Sequence, residues 1–382
     1  MEGDAPWPTG LLNPSSTGTT HTAWGPVEVL PVEADRLLDL GASWGHLPPL
    51  GNLEHLRHDR HGRWGLVEED DAVWDVLLLR FGCGRRASSL AQQHDRCAAL
   101  EATGAVQFPV GGVVVEGHDA LLVYPHAKKV EMKGGLIAAF EDAGRALTAL
   151  SRWSTPCAER RWNDEVAALE GRLGATTLWR APHHPSTVGL PWLRLSLHSR
   201  VSVDEGSTCY RIVPPTLDEH LAMPEARRPG LAHAAMLEGE AVEAGCGPDE
   251  GGPAAWFAAW SSKVPPAWVA RGPMSTYRGG LWIWRYADVL RWRAAAQMWH
   301  DEDLLVSTAR WLADVDRLQA RLGVLRMWRS LAWVGVAGGI VAMYAHRMTV
   351  VPPQGVAVIA LASAGLVGLG LLRYRLAEPT AF

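Results

Sequence analysis

Several groups of residues have types that could do chemistry. His55, His58 and His61 lie beside Glu54 and Asp59, a metal-like set. Their spacing would suit one helix face, but the local pattern is a turn between two strands, where alternate side chains diverge. Solvated hairpin histidines are therefore the expectation, with no metal. His183-His184 sits between prolines and reads as loop. Ser196 and Ser199 flank His198, yet no GxSxG elbow is present to present a serine nucleophile. The five cysteines, Cys83, Cys97, Cys157, Cys209 and Cys246, are scattered, odd in number and never in CxxC, so neither a zinc site nor a disulfide framework fits. Cys157 and Cys209 have no evident base beside them, and reduced thiols are the simplest account.

The elements that must position these groups follow from turn chemistry and apolar periodicity. Met1–Thr22 is rich in Pro, Gly, Ser and Thr and is expected to be mobile. Val27–Leu40 carries a short helical pattern, and Gly41–Gly51 reads as a connection. Glu54–His58, Trp64–Val67 and Val73–Phe81 then form a β-meander with turns at Asp59–Gly62 and Glu68–Asp71. Ser88–Glu101 reads as a helix. Gly112–Val115 and Ala120–Tyr124 make a hairpin around Glu116–Asp119, and Leu136–Leu150 and Asn163–Leu173 are amphipathic helices.

Three strands, a helix, two strands and then helices is an order that resembles the protein-kinase fold. The motifs can be placed on it. Arg60-His61-Gly62-Arg63-Trp64-Gly65-Leu66-Val67 is similar to the glycine loop GxGxxGxV, whose bare backbone closes over phosphates; Gly62, Gly65 and Val67 match, and Arg60 replaces the first glycine. Thirteen residues on, Leu77-Leu78-Leu79-Arg80 stands where the family has VAIK, so Arg80 replaces the phosphate-binding lysine. The partner glutamate's place falls near Gln93, with Glu101 in the neighbourhood. Leu193-Arg194-Leu195-Ser196-Leu197-His198-Ser199-Arg200-Val201-Ser202-Val203-Asp204-Glu205-Gly206 has the shape of HRDLKPxNILVDExG. Leu195 then falls at the catalytic aspartate and Arg200 at the metal-binding asparagine. Pro214-Pro215-Thr216 stands in the place of DFG.

The resemblance covers roughly residues 50–300. It implies a degenerate nucleotide pocket at Gly62, Gly65, Val67, Arg80, Leu195 and Arg200, with no base, no metal ligands and no cofactor. Phosphoryl transfer works by placing Mg²⁺ and neutralising charge. A chain without those groups reads as a pseudokinase and not as an enzyme.

The C-terminal part carries a different signal. Leu331–Ala345 and Gly355–Leu372 contain no charge, and each approaches the roughly 20 residues that span a bilayer as helix. Glycines that weaken soluble helices are common where membrane helices pack. Gly335 and Gly339 form GxxxG, and Ala360, Ala364 and Gly368 form a small-residue row. Arg326 and Arg329 precede the hairpin, Arg373 and Arg375 follow it, and its loop holds only Arg347, which puts both ends in the cytoplasm. Met1–Leu12 lacks a basic start and an apolar run, so the soluble body is expected to be cytoplasmic too. Ahead of the hairpin, Leu304, Trp311, Val315, Leu318, Leu322 and Leu325 recur at alternating spacings of three and four, broken only by Thr308. Trp311, Val315, Leu318 and Leu322 would form a stalk interface with a second copy, or pack on their own domain. Gly280–Trp299 reads as a helix of the large lobe or as an interfacial helix on anionic lipid.

These signals divide the chain into a mobile segment (1–45), a small β-rich lobe (46–135), a helical lobe (136–302), a stalk (303–328), a transmembrane hairpin (329–373) and a tail (374–382). The fold class is α+β: a two-lobed kinase-like body, a helical stalk and two transmembrane helices. Hydrophobic content of 48% is ample for a core, and a net charge of −5 gives no reason to expect nucleic acid. Only four of the 36 basic residues are lysine, a bias that suggests a GC-rich bacterial genome. Ten of the 19 tryptophans fall between Trp256 and Trp333, part of them expected near the bilayer. The expected partners are the lipid bilayer, a protein of unknown identity and a second copy of the chain. The function that follows is a membrane-anchored, inactive kinase-like scaffold or signalling protein. The alternatives are a membrane-perturbing effector of a bacterial defence or toxin system, with the body as sensor, and a divergent active nucleotide enzyme.

Overall fold

The computed structural model of the protein describes residues 18–22, 25–29, 33–58, 61–83, 90, 103–132, 135–151, 155–156, 159–174, 188–189, 195–204, 206–214, 229–247, 251–270, 274 and 280–377. The small lobe is built on an antiparallel sheet. Its strands are β1 (Gly18–Thr22), β2 (Gly25–Val29), β3 (Ala42–Gly45), β4 (Glu54–His58), β5 (Gly62–Glu69) and β6 (Ala72–Cys83). After β7 (Val106–Gln107) come β8 (Gly111–Val115) and β9 (His118–Pro125). The spatial order is β1-β2-β6-β9-β8-β3, with β4 and β5 joined to β6. Asp70 and Glu116 take positive φ, 52° each, where the short β5–β6 and β8–β9 turns require it, and Gly117 follows Glu116 at 88°.

The run Val76–Leu79 is buried without alternation because the sheet is covered on both sides. Leu77 and Leu79 join Trp64, Leu122 and Tyr124 on the face toward the helical lobe. Val76 and Leu78 join Val67, Leu121 and Val123 on the other, beneath Leu37 and Leu50. Leu37 belongs to α1 (Ala34–Leu40), a seven-residue helix that caps that outer face.

Three sequence expectations change here. Gly18–Thr22, placed in a mobile segment, pairs with β2; its threonines are β-branched and suit a strand. Residues 1–17 lie outside the described set. Val27–Val29, read as the start of a helix, is strand, and the helix begins at Ala34 beyond Pro31. Ala42–Gly45, read as connection, is an edge strand on β8. It fits because Gly111 has no side chain: a Cβ there would collide with the backbone of His46. The helix expected over Ser88–Glu101 lies outside the described residues except for Leu90, whose N–H donates to the buried Asp119 carboxylate at 2.9 Å.

The helical lobe follows β10 (Lys128–Lys129). Helix α2 (Leu136–Leu150) buries Leu136, Ala139, Phe140, Ala143, Leu147 and Leu150 at helical spacing, with Phe140 stacked on Trp256 at 5.8 Å. The short pair β11 (Thr155–Pro156) and β12 (Val188–Gly189) brackets α3 (Glu159–Leu173). A hairpin of β13 (Arg200–Asp204) and β14 (Ser207–Arg211) precedes α4 (Gly230–Glu243), α5 (Gly252–Ser261) and α6 (Gly280–Trp299). Helices α4 and α6 are buried on most of their circumference, so the expectation of a lobe helix holds for Gly280–Trp299.

The last two helices are long. α7 (Glu302–Arg347) runs unbroken for 46 residues, about 69 Å at 1.5 Å per residue, with the Asp301 carboxylate capping Leu304 N–H at 2.9 Å. α8 (Pro353–Ala377) returns antiparallel beside it. Gly323–Arg347 and Pro353–Ala377 are each 25 residues of predominantly apolar helix, only 17% and 11% buried, long and apolar enough to cross a membrane.

Candidate functional site

The body is an α+β fold whose elements can be set beside the protein-kinase order that the sequence resembles. The β-meander β4-β5-β6, the hairpin β8-β9, the crossing into α2 and the short helical turn Leu197–Ser199 leading into the β13–β14 hairpin follow in the order expected from the sequence. The cleft between its lobes is where the sequence motifs should converge.

The glycine stretch is strand, not open loop. Gly62 pairs with Leu79 and Gly65 with Val76, both inside β5. A side chain on Gly65 would meet Leu53 Cδ1 at 2.7 Å and the Glu54 carbonyl at 2.9 Å. The glycines therefore serve close packing of β5 against its neighbours. Val67 is fully buried in the outer core, away from the cleft. Arg80 lies within β6; its side chain is outside the described set, as are Asp59, Arg60 and the side chain of His58. His55 Nε2 lies 3.2 Å from Arg63 Nη1, so it is engaged within the β4–β5 hairpin. Among the described residues no group of three or more His, Cys, Asp or Glu is placed to hold a metal ion.

The segment aligned with the catalytic loop is occupied by packing. Leu195 is 1% exposed and belongs to the main core. Ser196 Oγ donates to Glu240 at 3.1 Å and Leu197 N–H donates to the same oxygen at 2.7 Å. That carboxylate, buried on α4, thereby holds the turn. Arg200 is buried; its Nε donates to Asp142 Oδ2 at 2.9 Å and its Nη2 lies 2.7 Å from the same atom. Thr208 and Arg145 complete the shell around Asp142. Arg200 is thus an anchor between β13 and α2. Behind it the Tyr210 hydroxyl donates to the Ala139 carbonyl at 2.8 Å, and burial pushes its pKa up. Pro214 is buried; Pro215 and Thr216 lie outside the described residues.

A buried group that the sequence motifs did not single out joins the small lobe to β14. Arg211, 3% exposed, donates to Gln107 at 2.7 Å, to Asp75 at 2.8 Å and to the Pro125 carbonyl at 3.1 Å. Its guanidinium lies 5.3 Å from the Trp64 ring centre and 4.9 Å from that of Tyr124. The Tyr124 hydroxyl donates to the Ile212 carbonyl at 2.9 Å, and His126 Nδ1 lies 2.8 Å from Asp75. The backbone joins in: β10, β13, β14 and β7 form one sheet, with Tyr210 and Arg211 paired in parallel with Val106 and Gln107. One buried cluster runs from Trp64, Leu77 and Tyr124 to Phe140, Tyr210 and Trp260, through both lobes. A charged residue inside each of two apolar strands, Asp75 in VWDVLLL and Arg211 in CYRIV, was the available signal, since buried charges are kept only in pairs.

In the hairpin, Gly335 sits against α8: a Cβ there would meet the Ser363 carbonyl at 2.7 Å and Val367 Cγ2 at 2.9 Å. Gly339 faces Ser363 more loosely, at 3.7 Å. On α8 the contact is made by Ser363, Leu366, Val367 and Gly370, not by Ala360, Ala364 and Gly368, which are exposed. The reason is phase: Ser363 and Gly370 are seven apart and share a stripe that the small-residue row does not. In the stalk, Trp311 is 39% exposed, whereas Leu325 is buried in the main core and Leu312 packs against it. At those positions α7 packs on its own body. The side chains of Val315, Leu318 and Leu322 lie outside the described set.

No protein-family description matches the chain, and no curated protein matches it. Among solved structures, the chain is similar to a putative fructosamine-3-kinase from Thermobifida fusca, at 14% identity and a TM-score of 0.31, over 69% of this chain and 98% of that one. It is also similar to a spectinomycin phosphotransferase solved with ADP and spectinomycin, at 12% identity and a TM-score of 0.38, over 88% of this chain and 99% of that one. Neither match assigns a role to any residue here.

Proposed function

We propose that this chain is a membrane-anchored, catalytically inactive kinase-like protein that acts as a binding scaffold. The observation that carries the reading is a buried cluster: the Arg211 guanidinium lies beside Trp64 and Tyr124 and is saturated by Asp75, Gln107 and Pro125. A phosphoryl-transfer site needs room for a triphosphate and ligands for its metal. The residues at the base and metal positions, Leu195 and Arg200, are instead spent on packing and on Asp142. The two apolar helices supply the anchor. Arg326, Arg329, Arg373 and Arg375 gather at one end of it, which supports a cytoplasmic body and both hairpin ends inside.

A second reading has its own observation. Ala360, Ala364 and Gly368 form an outward row on α8 that could meet another copy in the bilayer. It makes the protein a membrane-perturbing effector with the body as sensor. The full chain in dye-loaded vesicles, given Mg²⁺ and labelled ATP, separates the readings. No label transfer and no leakage supports the scaffold; leakage supports the effector; transfer above that of empty vesicles overturns both.

A further inference from the structure

A cavity of about 540 Å³ opens between α4, α6 and the first turns of α7, on the side of α4 away from the catalytic-loop segment. Glu240 holds that segment, while Glu238 and Val242 face the cavity. Residues two apart on a helix point about 200° from each other. The cavity is therefore a separate place from the degenerate kinase cleft.

Its floor is buried and its rim is open. Glu238 and Asp288 lie on the floor, with Arg285 the single cationic side chain of the lining, paired with Glu238 at 2.8 Å. Asp288 is saturated by Arg291 at 2.8 Å and by Trp292 Nε1 at 3.0 Å. Gly239 lets it come this close, since a Cβ there would collide with the carboxylate. The exposed carboxylates of Glu243 and Asp303 stand at the rim beside the half-open ring of Trp311. Burial raises the Glu238 carboxyl above its usual range while Arg285 pulls it down, and each floor carboxylate has its own guanidinium, Glu238 with Arg285 and Asp288 with Arg291.

We infer that this cavity is a binding site for a small organic polycation, held by Glu243 and Asp303 with a charged nitrogen over Trp311. The volume falls in the range of small-molecule sites, about 300–1,000 Å³. An aromatic face with carboxylates is the recognition chemistry of alkylammonium groups. A compact divalent metal fits poorly, because no set of three ligands converges among the described residues. Such an occupant would touch α4, α6 and α7 together and stiffen the junction between the body and the membrane helix.

The test is calorimetric titration of spermidine into the full chain in a neutral detergent, with its melting temperature followed in parallel. Saturable binding with a rise in melting temperature is expected. Trp311→Ala should weaken it about fivefold or more, as should the pair Glu243→Gln and Asp303→Asn, while Trp311→Phe should retain most of it. Each variant's apo melting temperature serves as its own baseline, since Trp311 is only 39% exposed, and the criterion is the binding constant and the ligand-induced shift. Absence of saturable binding up to millimolar spermidine, or binding equally strong in Trp311→Ala and the rim pair, overturns the site; the second result would mark the titration as non-specific surface charge.

Discussion

The guanidinium of Arg211 lies 5.3 Å from the centre of the Trp64 ring while donating to Asp75 at 2.8 Å, so a residue of β14 is held between two residues of the small lobe. That single placement ties β14 to the small lobe.

Arg211→Met should destabilise the protein by about 3–5 kcal/mol, because it leaves the buried Asp75 carboxylate with only His126 and the Ala127 amide. The double change Arg211→Met with Asp75→Leu should recover most of that loss. Denaturant unfolding of the two singles and the double, read as a cycle, checks it. An additive double would mean the pair is not coupled.

Leu195→Asp restores the residue type expected of a kinase base at this position, yet it should give no phosphoryl transfer. Leu195 is 1% exposed inside the main core, so an aspartate there is desolvated and costs on the order of 3 kcal/mol. Melting temperature and ATP turnover of the variant are the readouts.

Glu238 sets a pH dependence. Burial raises its folded pKa above the ordinary 4.5, so the native state holds this proton more tightly than the unfolded chain does. Its contribution is fully present below about pH 4.5 and is lost as pH climbs through the folded value. Glu238→Gln should flatten stability against pH in that window. An unchanged slope would show that other groups control it.

In detergent, Gly335→Leu should lower the melting transition of the hairpin, by about 1–3 kcal/mol of packing, since its Cβ would press on the Ser363 carbonyl. Gly368→Leu should be tolerated in the monomer, because nothing lies within 4 Å of the position. Equal effects would contradict the assigned helix face.

The elements were legible where one physical signal dominated. Turn residues at Asp70 and Glu116-Gly117 and the apolar strands around them located β5, β6, β8 and β9, and uncharged length located the two apolar helices. The edge strand Ala42–Gly45 was hidden because it is held by backbone pairing with β8 and by the bareness of Gly111, neither of which leaves an apolar pattern. The cleft was legible only as missing motifs. The buried cluster behind it joins Asp75, Gln107 and Arg211, up to 136 positions apart, which no local periodicity can connect. The small-residue row on α8 was legible as a row, whereas the direction it faces was not, since a uniformly apolar helix carries no polar face to fix its phase.

The most direct test of the account is equilibrium binding of ATP to the full chain in detergent, with and without Mg²⁺, by calorimetry. Leu195 and Arg200 at the base and metal positions, both buried and engaged in the fold, predict no saturable heat up to millimolar nucleotide and no shift in melting temperature under either condition. Saturable Mg²⁺-dependent binding that is lost in Arg80→Ala would contradict it and return the protein to the active nucleotide enzymes.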